Sequence, residues 1–123
     1  MLLRDHDERL LLVHQPPQAG WSLPGGLLNR HEHPHDGAVR EVREEIGLRL
    51  EPEALTPLVP NAQVNPRIQQ VDLVFTATVD AATTTFTVDQ VEIADARWFP
   101  VDELPPLTSP TLRLLRRCGL GPE

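Results

Sequence analysis

Three carboxylates, Glu41, Glu44 and Glu45, fall within about one turn of the segment Ala38 to Leu48, AVREVREEIGL. The segment has helical periodicity. At about 100° per residue, Glu45 lies roughly 40° from Glu41 and Glu44 roughly 60° away on the other side. The three therefore share an arc of about 100°. Like charges at i,i+3 and i,i+4 repel by a few tenths of a kcal/mol per pair, so the arrangement needs a reason. One reading is a solvated acidic face balanced by Arg40 and Arg43, which lie elsewhere on the wheel. The other is a hard-cation site, since clustered carboxylates with carbonyls and water are what Mg2+ or Mn2+ binds. On the second reading the repulsion is offset only when the metal is present.

Two other groups of chemistry-bearing residues need weighing. HEHPH places His31, His33 and His35 close in sequence, a spacing compatible with transition-metal binding. Pro34 and the start of a helix are expected to splay these side chains apart. Cys118 is the single cysteine, which excludes an intrachain disulfide and any multi-Cys zinc site. It follows TLRLLRR in an expected helix and reads as a small structural residue.

The bulk numbers bound the function. The chain has 123 residues, 40% hydrophobic and 24% charged, as expected for one soluble domain with a real core. No apolar run approaches the roughly 20 residues of a membrane span, and the start has no signal-peptide layout, so a cytoplasmic location is expected. The net charge of −7 disfavours a general nucleic-acid binder. It leaves room for small phosphorylated substrates, because a bound divalent cation inverts the local field. All 11 basic residues are Arg, so neither a P-loop lysine nor a Schiff-base lysine exists.

The elements that must position the carboxylates can be placed from the sequence. LLR and RLLLVH flank a turn at DHDE and predict a hairpin. Its first strand begins at Met1 with little length to pair, so it is expected to be truncated at the N-terminus. WSLPGG is a short extended piece ending in a Gly-Gly turn. Pro34 suits the first helical position and Gly47 the C-cap, which predicts a helix from about His35 to Ile46. Ala38, Val39, Val42 and Ile46 give it one apolar face to pack on a sheet. ALTPLV, IQQVDLVFTATV and ARWFPV predict strands, and Asp80 to Glu92 a long loop with at most a short strand at TFTV. SPTLRLLRRCG closes the chain as a helix, with Ser109 as N-cap, Pro110 at the first position and Gly119 at the end. The fold class is mixed α/β.

The context of the acidic helix sharpens its meaning. Gly26 is followed after five residues by Glu32, and after seven more by Arg40-Glu41-Val42-Arg43-Glu44-Glu45-Ile46-Gly47-Leu48. This resembles the Nudix box, G-x5-E-x7-R-E-U-x-E-E-x-G-U with U aliphatic, at every specified position. GWSLPGG resembles the lead-in of that family, and EIADARWFPVDELPPL its final strand and turn. The resemblance covers nearly the whole chain and implies a single Nudix domain over residues 1–123, an α/β/α sandwich with a mixed sheet and a loop–helix–loop motif.

The resemblance also implies roles. Glu41, Glu44 and Glu45 would hold Mg2+ (or Mn2+), with a carbonyl of the Gly-Gly turn, Gly25 or Gly26. Arg40 would orient a glutamate, and Glu32 would tie the loop to the helix. The general base would be one of the helix glutamates or a loop glutamate, for which Glu92 is the best candidate; Glu92 reads equally as an exposed strand-edge carboxylate. The implied reaction is hydrolysis of a diphosphate linkage in a nucleoside diphosphate joined to another group, nucleoside triphosphates and nucleotide sugars included. Its partner is a small nucleotide rather than a nucleic-acid polymer or a membrane. Trp21 could stack on a base or belong to the core. Asn61, Gln63, Asn65, Arg67 and Gln69 form a polar run between strands, which could contact substrate or be a solvated loop. His31 and His33 depart from the glycine and the Ser or Thr cap usual in the family. A lack of Tyr disfavours the diadenosine-polyphosphate branch, and the missing zinc ligands disfavour the zinc-containing NADH pyrophosphatase branch. A diphosphate isomerase would need a catalytic Cys near the pocket, which Cys118 fits poorly. The alternative to an enzyme is a catalytically inactive Nudix-like binding or regulatory module. A homodimer would follow if a second copy completed the short first strand.

Overall fold

The computed structural model describes residues 1–25, 29–65, 70–88 and 93–120. Its strands are β1 (Leu2–Arg4), β2 (Leu10–His14), β3 (Trp21–Ser22), β4 (Thr56–Asn65), β5 (Gln70–Thr78) and β6 (Asp95–Phe99). Two helices, α1 (Pro34–Ile46) and α2 (Ser109–Arg117), and a 3-10 turn at Pro52–Ala54 complete the described elements. The strands form one mixed sheet in the order β3-β2-β1-β5-β4, with β6 also paired to β2. Among the described strands, β1 and β5 pair in parallel, with Leu3 opposite Ala77, and Trp21 of β3 makes an isolated parallel bridge to Leu107.

LLLVH in β2 is a continuous apolar run rather than an alternating one, and Leu10, Leu11, Leu12 and Val13 are all buried. That is the signature of a strand covered on both faces. Leu3, Leu11 and Val13 join Val42 and Ile46 of α1, together with Phe75, Ala77 and Ile93, in one core. Leu2 and Leu10 point the other way and pack with Leu115 of α2. Successive residues of one strand thus serve opposite layers, because side chains alternate across a sheet. The result is the expected α/β/α arrangement, with Ala38 and Val39 also packed against the α1-side core.

Several boundaries differ from the sequence expectation. Helix α1 starts one residue earlier, at Pro34, with His33 as the extended N-cap whose Nδ1 accepts the His35 N–H at 3.2 Å. In α2 the cap is Thr108 rather than Ser109, and its hydroxyl donates to Thr111 Oγ1 at 2.9 Å. Asn61, Gln63 and Asn65 do not form a loop. They belong to β4, where Ala62 to Asn65 pair with Leu73 to Gln70 across a bulge after Pro57. Long-range ladder bonds override the weak strand propensity of these polar residues. No strand forms at Phe86–Val88 among the described residues.

The hairpin turn at DHDE is held by Asp5. Its side chain is almost fully buried and accepts from the Arg9 N–H at 2.8 Å, the Asp7 N–H at 3.0 Å and Arg9 Nε at 2.6 Å. Burial pushes the carboxyl up, but the Arg9 backbone N–H, the Arg9 guanidinium and the Asp7 N–H together hold it below the usual carboxylate value. A carboxyl depressed in the folded state stabilises the fold above its unfolded value, near pH 4, and that contribution is lost as pH falls through the folded value. Asp5→Asn keeps one acceptor but offers an N–H where Arg9 donates. It should cost about 1–3 kcal/mol in urea unfolding at pH 7. The gap to wild type should shrink as pH falls below about 4; a pH-independent gap would show that the charge is not what holds the turn.

Candidate functional site

The carboxylates sit in the second half of α1, and the helix wheel places them as the sequence predicts. Glu45 turns inward and is only 4% exposed, with Oε2 accepting the Gly25 N–H at 3.2 Å. Glu41 is partly covered, and Glu44 is the most open of the three, with 55% of its side chain exposed. Gly25 is therefore tied directly to the helix through Glu45. Trp21 in β3 lies upstream of Gly25, and the strand is fastened at both of its backbone groups. Its N–H donates to Pro106 O at 2.8 Å, and its carbonyl accepts from the Thr108 N–H at 3.0 Å. Gly20 makes this possible: at φ +104°, an added Cβ would lie 2.8 Å from the Leu107 carbonyl carbon.

Arg40 is the centre of the charge arrangement. Its Nε and Nη2 grip Glu32 in a bidentate fork at 2.8 and 3.0 Å, and Nη1 donates to Glu41 at 2.7 Å and to Glu44 at 3.0 Å. Arg40 lies outside the glutamate arc, yet Glu44 is its i,i+4 neighbour on the helix, and the long guanidinium fork also reaches the adjacent Glu41 and, in the loop before α1, Glu32. This corrects the expectation that only a metal offsets the repulsion. Each like-charge pair costs a few tenths of a kcal/mol. A charge-assisted hydrogen bond contributes about 1.5–3 kcal/mol when desolvated and nearer 0.2–1 when exposed, as at Glu44. The bond to the partly covered Glu41 is the one large enough to cover the repulsion. The fork with Glu32 is the main reason the guanidinium is held firmly protonated. In return Arg40, aided by the Asn29 N–H at 2.9 Å, holds the Glu32 carboxyl below its usual value.

Among the described residues, no three His, Cys, Asp or Glu side chains are gathered as a ready metal cage. The donor set nonetheless suits a hard divalent cation in kind. It consists of oxygen donors only, three of them carboxylates on one arc, with the Gly25 turn held against the deepest one. Arg40 engages one oxygen of Glu41 and one of Glu44. Gly26, Arg67 and Glu92 lie outside the described residues.

The remaining predicted residues fall as follows. The Trp21 ring packs edge-on to Phe99 at 5.0 Å and against His14 at 5.5 Å, so much of it is engaged within the fold. His33 and His35 are not splayed apart as expected. Their rings lie 5.2 Å apart, because the capping bond turns His33 back over the first helical turn, and the His35 ring packs tilted against Phe75 at 4.4 Å. A hollow of about 370 Å³ beside them is lined by His33, His35, Asp36, Pro52, Glu53 and Leu55, and includes none of the box glutamates. Cys118 caps α2 half-buried, and burial pushes its thiol up, the opposite of what a nucleophile needs. One contact left no motif in the sequence: the Thr87 N–H donates to Ile46 O, at the end of the acidic helix, at 2.8 Å.

A family model described as NUDIX domain matches residues 1–118. The chain belongs to the Nudix family. It is 31% identical over 106 residues to Nudix hydrolase 8 of Arabidopsis thaliana, covering 83% of this chain and 28% of that one. The fold superposes on a MutT Nudix hydrolase from Burkholderia pseudomallei with a TM-score of 0.68, at 25% identity, over 98% and 97% of the two chains. It also superposes on a UDP-X diphosphatase with a TM-score of 0.60, at 26% identity, over 94% and 60%. The chain spans 28–37% of the length of the first curated relatives it matches. No helix among the described residues is long and apolar enough to cross a membrane.

The Arg40 hub makes a direct prediction. A lysine cannot reproduce a bidentate fork, so Arg40→Lys should lower the melting temperature of the metal-free protein by roughly 3–6 °C at pH 7. An unchanged melting temperature would mean that the ion pairs carry no net stability.

Proposed function

We propose that this Nudix domain is a divalent-cation-dependent hydrolase of a diphosphate linkage, acting on a nucleoside diphosphate joined to another group. The observation that carries the reading is the arrangement of the described box residues, with Glu41, Glu44 and Glu45 on one arc of α1, Arg40 braced among them and Glu45 bonded to the Gly25 N–H. Its structural likeness to a UDP-X diphosphatase supports the substrate class. We read residues 1–123 as one catalytic domain.

Glu41, Glu44 and Glu45 would hold the cation, with the Gly25–Gly26 turn beside them. When bound, the cation neutralises phosphate oxygens and lowers the pKa of a bound water. The chain's own residues do the rest. Glu45 is preorganised by its burial and by the Gly25 N–H. Arg40 fixes the orientation of Glu41 and Glu44 through one oxygen of each. Glu44, the most exposed of the three, is best placed to take a proton from an attacking water, with Glu92 the other candidate base. Arg67 is a candidate phosphate contact. The ring contacts of Trp21 favour a supporting role over base stacking.

Incubating the full chain with Mg2+ or Mn2+ and a panel of nucleoside triphosphates, nucleotide sugars and dinucleotides in ¹⁸O water, with products identified by mass, should give a nucleoside monophosphate and a second phosphorylated product. The label also reports which phosphorus is attacked. No turnover of any member with either metal would favour a binding or regulatory module instead. Glu44→Gln should lower kcat by about 10²–10⁴ if it is the general base; a loss below about threefold would pass that role to Glu92.

A further inference from the structure

Glu44 and Glu45 belong to the last turn of α1, where a helix tends to fray and where the final carbonyls have no partner within the helix. Mutual repulsion among the carboxylates adds to that tendency. The chain closes this end with a contact from another element. Gly47 takes the left-handed conformation at φ 72° and donates its N–H to Arg43 O at 2.9 Å. The carbonyl of the last helical residue, Ile46 O, accepts the Thr87 N–H at 2.8 Å. A Cβ at Gly47 would meet Thr87 Cβ at 3.1 Å and its backbone N and O at 3.3 Å, so Thr87 seats in a notch that only glycine leaves open. The clip is itself anchored. Phe86 and Val88, on either side of Thr87, pack on the α1-side core, and the Phe86 ring lies 5.9 Å from Trp98 of β6.

We propose that Thr87 is a positioning residue for cation binding: seated on Gly47 and bonded to Ile46 O, it fixes the last turn of α1 so that Glu45 keeps its place against Gly25 and Glu44 its place beside Arg40. The assignment rests on the cation-dependent reading above and extends it to a segment outside the box. It gives Gly47 a second requirement beyond its left-handed backbone, namely room for Thr87. Ile46 is fully buried, so the pull of the clip acts on a turn that cannot shift without disturbing the core.

Mn2+ titration of the full metal-free chain by calorimetry tests this without any turnover. Gly47→Ala should weaken Mn2+ binding about tenfold, the effect of losing roughly one well-placed hydrogen bond. Thr87→Gly alone, which keeps the N–H that bonds Ile46 O, serves as the reference for the double variant. Added to Gly47→Ala, it should restore part of the loss, because it removes the nearest contact, the Thr87 Cβ, and leaves the backbone contacts and the strain at residue 47. Equal losses in the single and double variants would overturn the proposal and leave only backbone strain. Thr87→Pro, which removes the N–H, should also weaken Mn2+ binding with the circular-dichroism spectrum unchanged. Should that variant not fold, amide exchange on the wild type decides: a Thr87 amide exchanging as fast as a free loop overturns the clip. Wild-type protein that takes up no Mn2+ overturns it as well. Protein that binds Mn2+ and responds to the variants as stated, yet hydrolyses no nucleotide, leaves the clip standing and removes the hydrolase reading.

Discussion

A guanidinium surrounded by carboxylates is the constraint around which this fold is arranged. Among the described residues, Arg40 holds Glu32, Glu41 and Glu44, drawn from the loop before α1 and from the helix itself. Each acid would repel the next, and the basic centre turns that repulsion into a frame. The loop is pulled to the helix by the Glu32 fork, and the helix face is kept dense in negative charge without unwinding. Because the Arg40 side chain is only 16% exposed, these contacts are screened less than ordinary surface ion pairs. The protein can therefore hold its acidic face in order before any cation arrives, which is what preorganisation of a metal site requires.

The sheet supplies the rigidity behind this frame. β2 is buried on both faces and pairs with β6 over its whole length, with β1 at Leu10 and with β3 at Val13 and His14. Helix α1 rests on one face through Val42 and Ile46, and α2 on the other through Leu115. A helix packed this way has one side immobilised by close-packed apolar contacts, and its flank is free to carry functional charge. The same thirteen residues of α1 thus meet two demands at once, because the 3.6-residue period separates them onto different arcs.

How much of this could be read from the residues depended on how local the cause was. Pro34 and Gly47 announced the helix ends because their backbone preferences act within one or two residues. The apolar spacing of Val39, Val42 and Ile46 announced the packed face for the same reason. The Arg40–Glu44 pair follows from i,i+4 spacing, but the fork to Glu32 lies beyond a wheel, which treats side chains as points and ignores the length of the guanidinium arm. Asn61, Gln63 and Asn65 looked like a loop because polarity argues locally, while their ladder partners are supplied by β5. His33 and His35 were brought together by a capping bond that spacing alone does not reveal. The seat of Thr87 on Gly47 had no signature in sequence, because it joins residues forty positions apart through backbone atoms.

The outermost strand carries a consequence of another kind. β4 ends the described order of the sheet and has ten residues, long enough to tempt another chain into pairing with it. Two of those ten are Pro57 and Pro60, which have no N–H to offer, and a bulge follows Pro57. Prolines and irregular register are the devices by which sheets refuse further strands. A second copy joining this protein would meet an interrupted donor row there, so edge-to-edge growth along β4 is discouraged by covalent structure alone. Protection against fibrous assembly is in that sense built into a strand that holds none of the box glutamates.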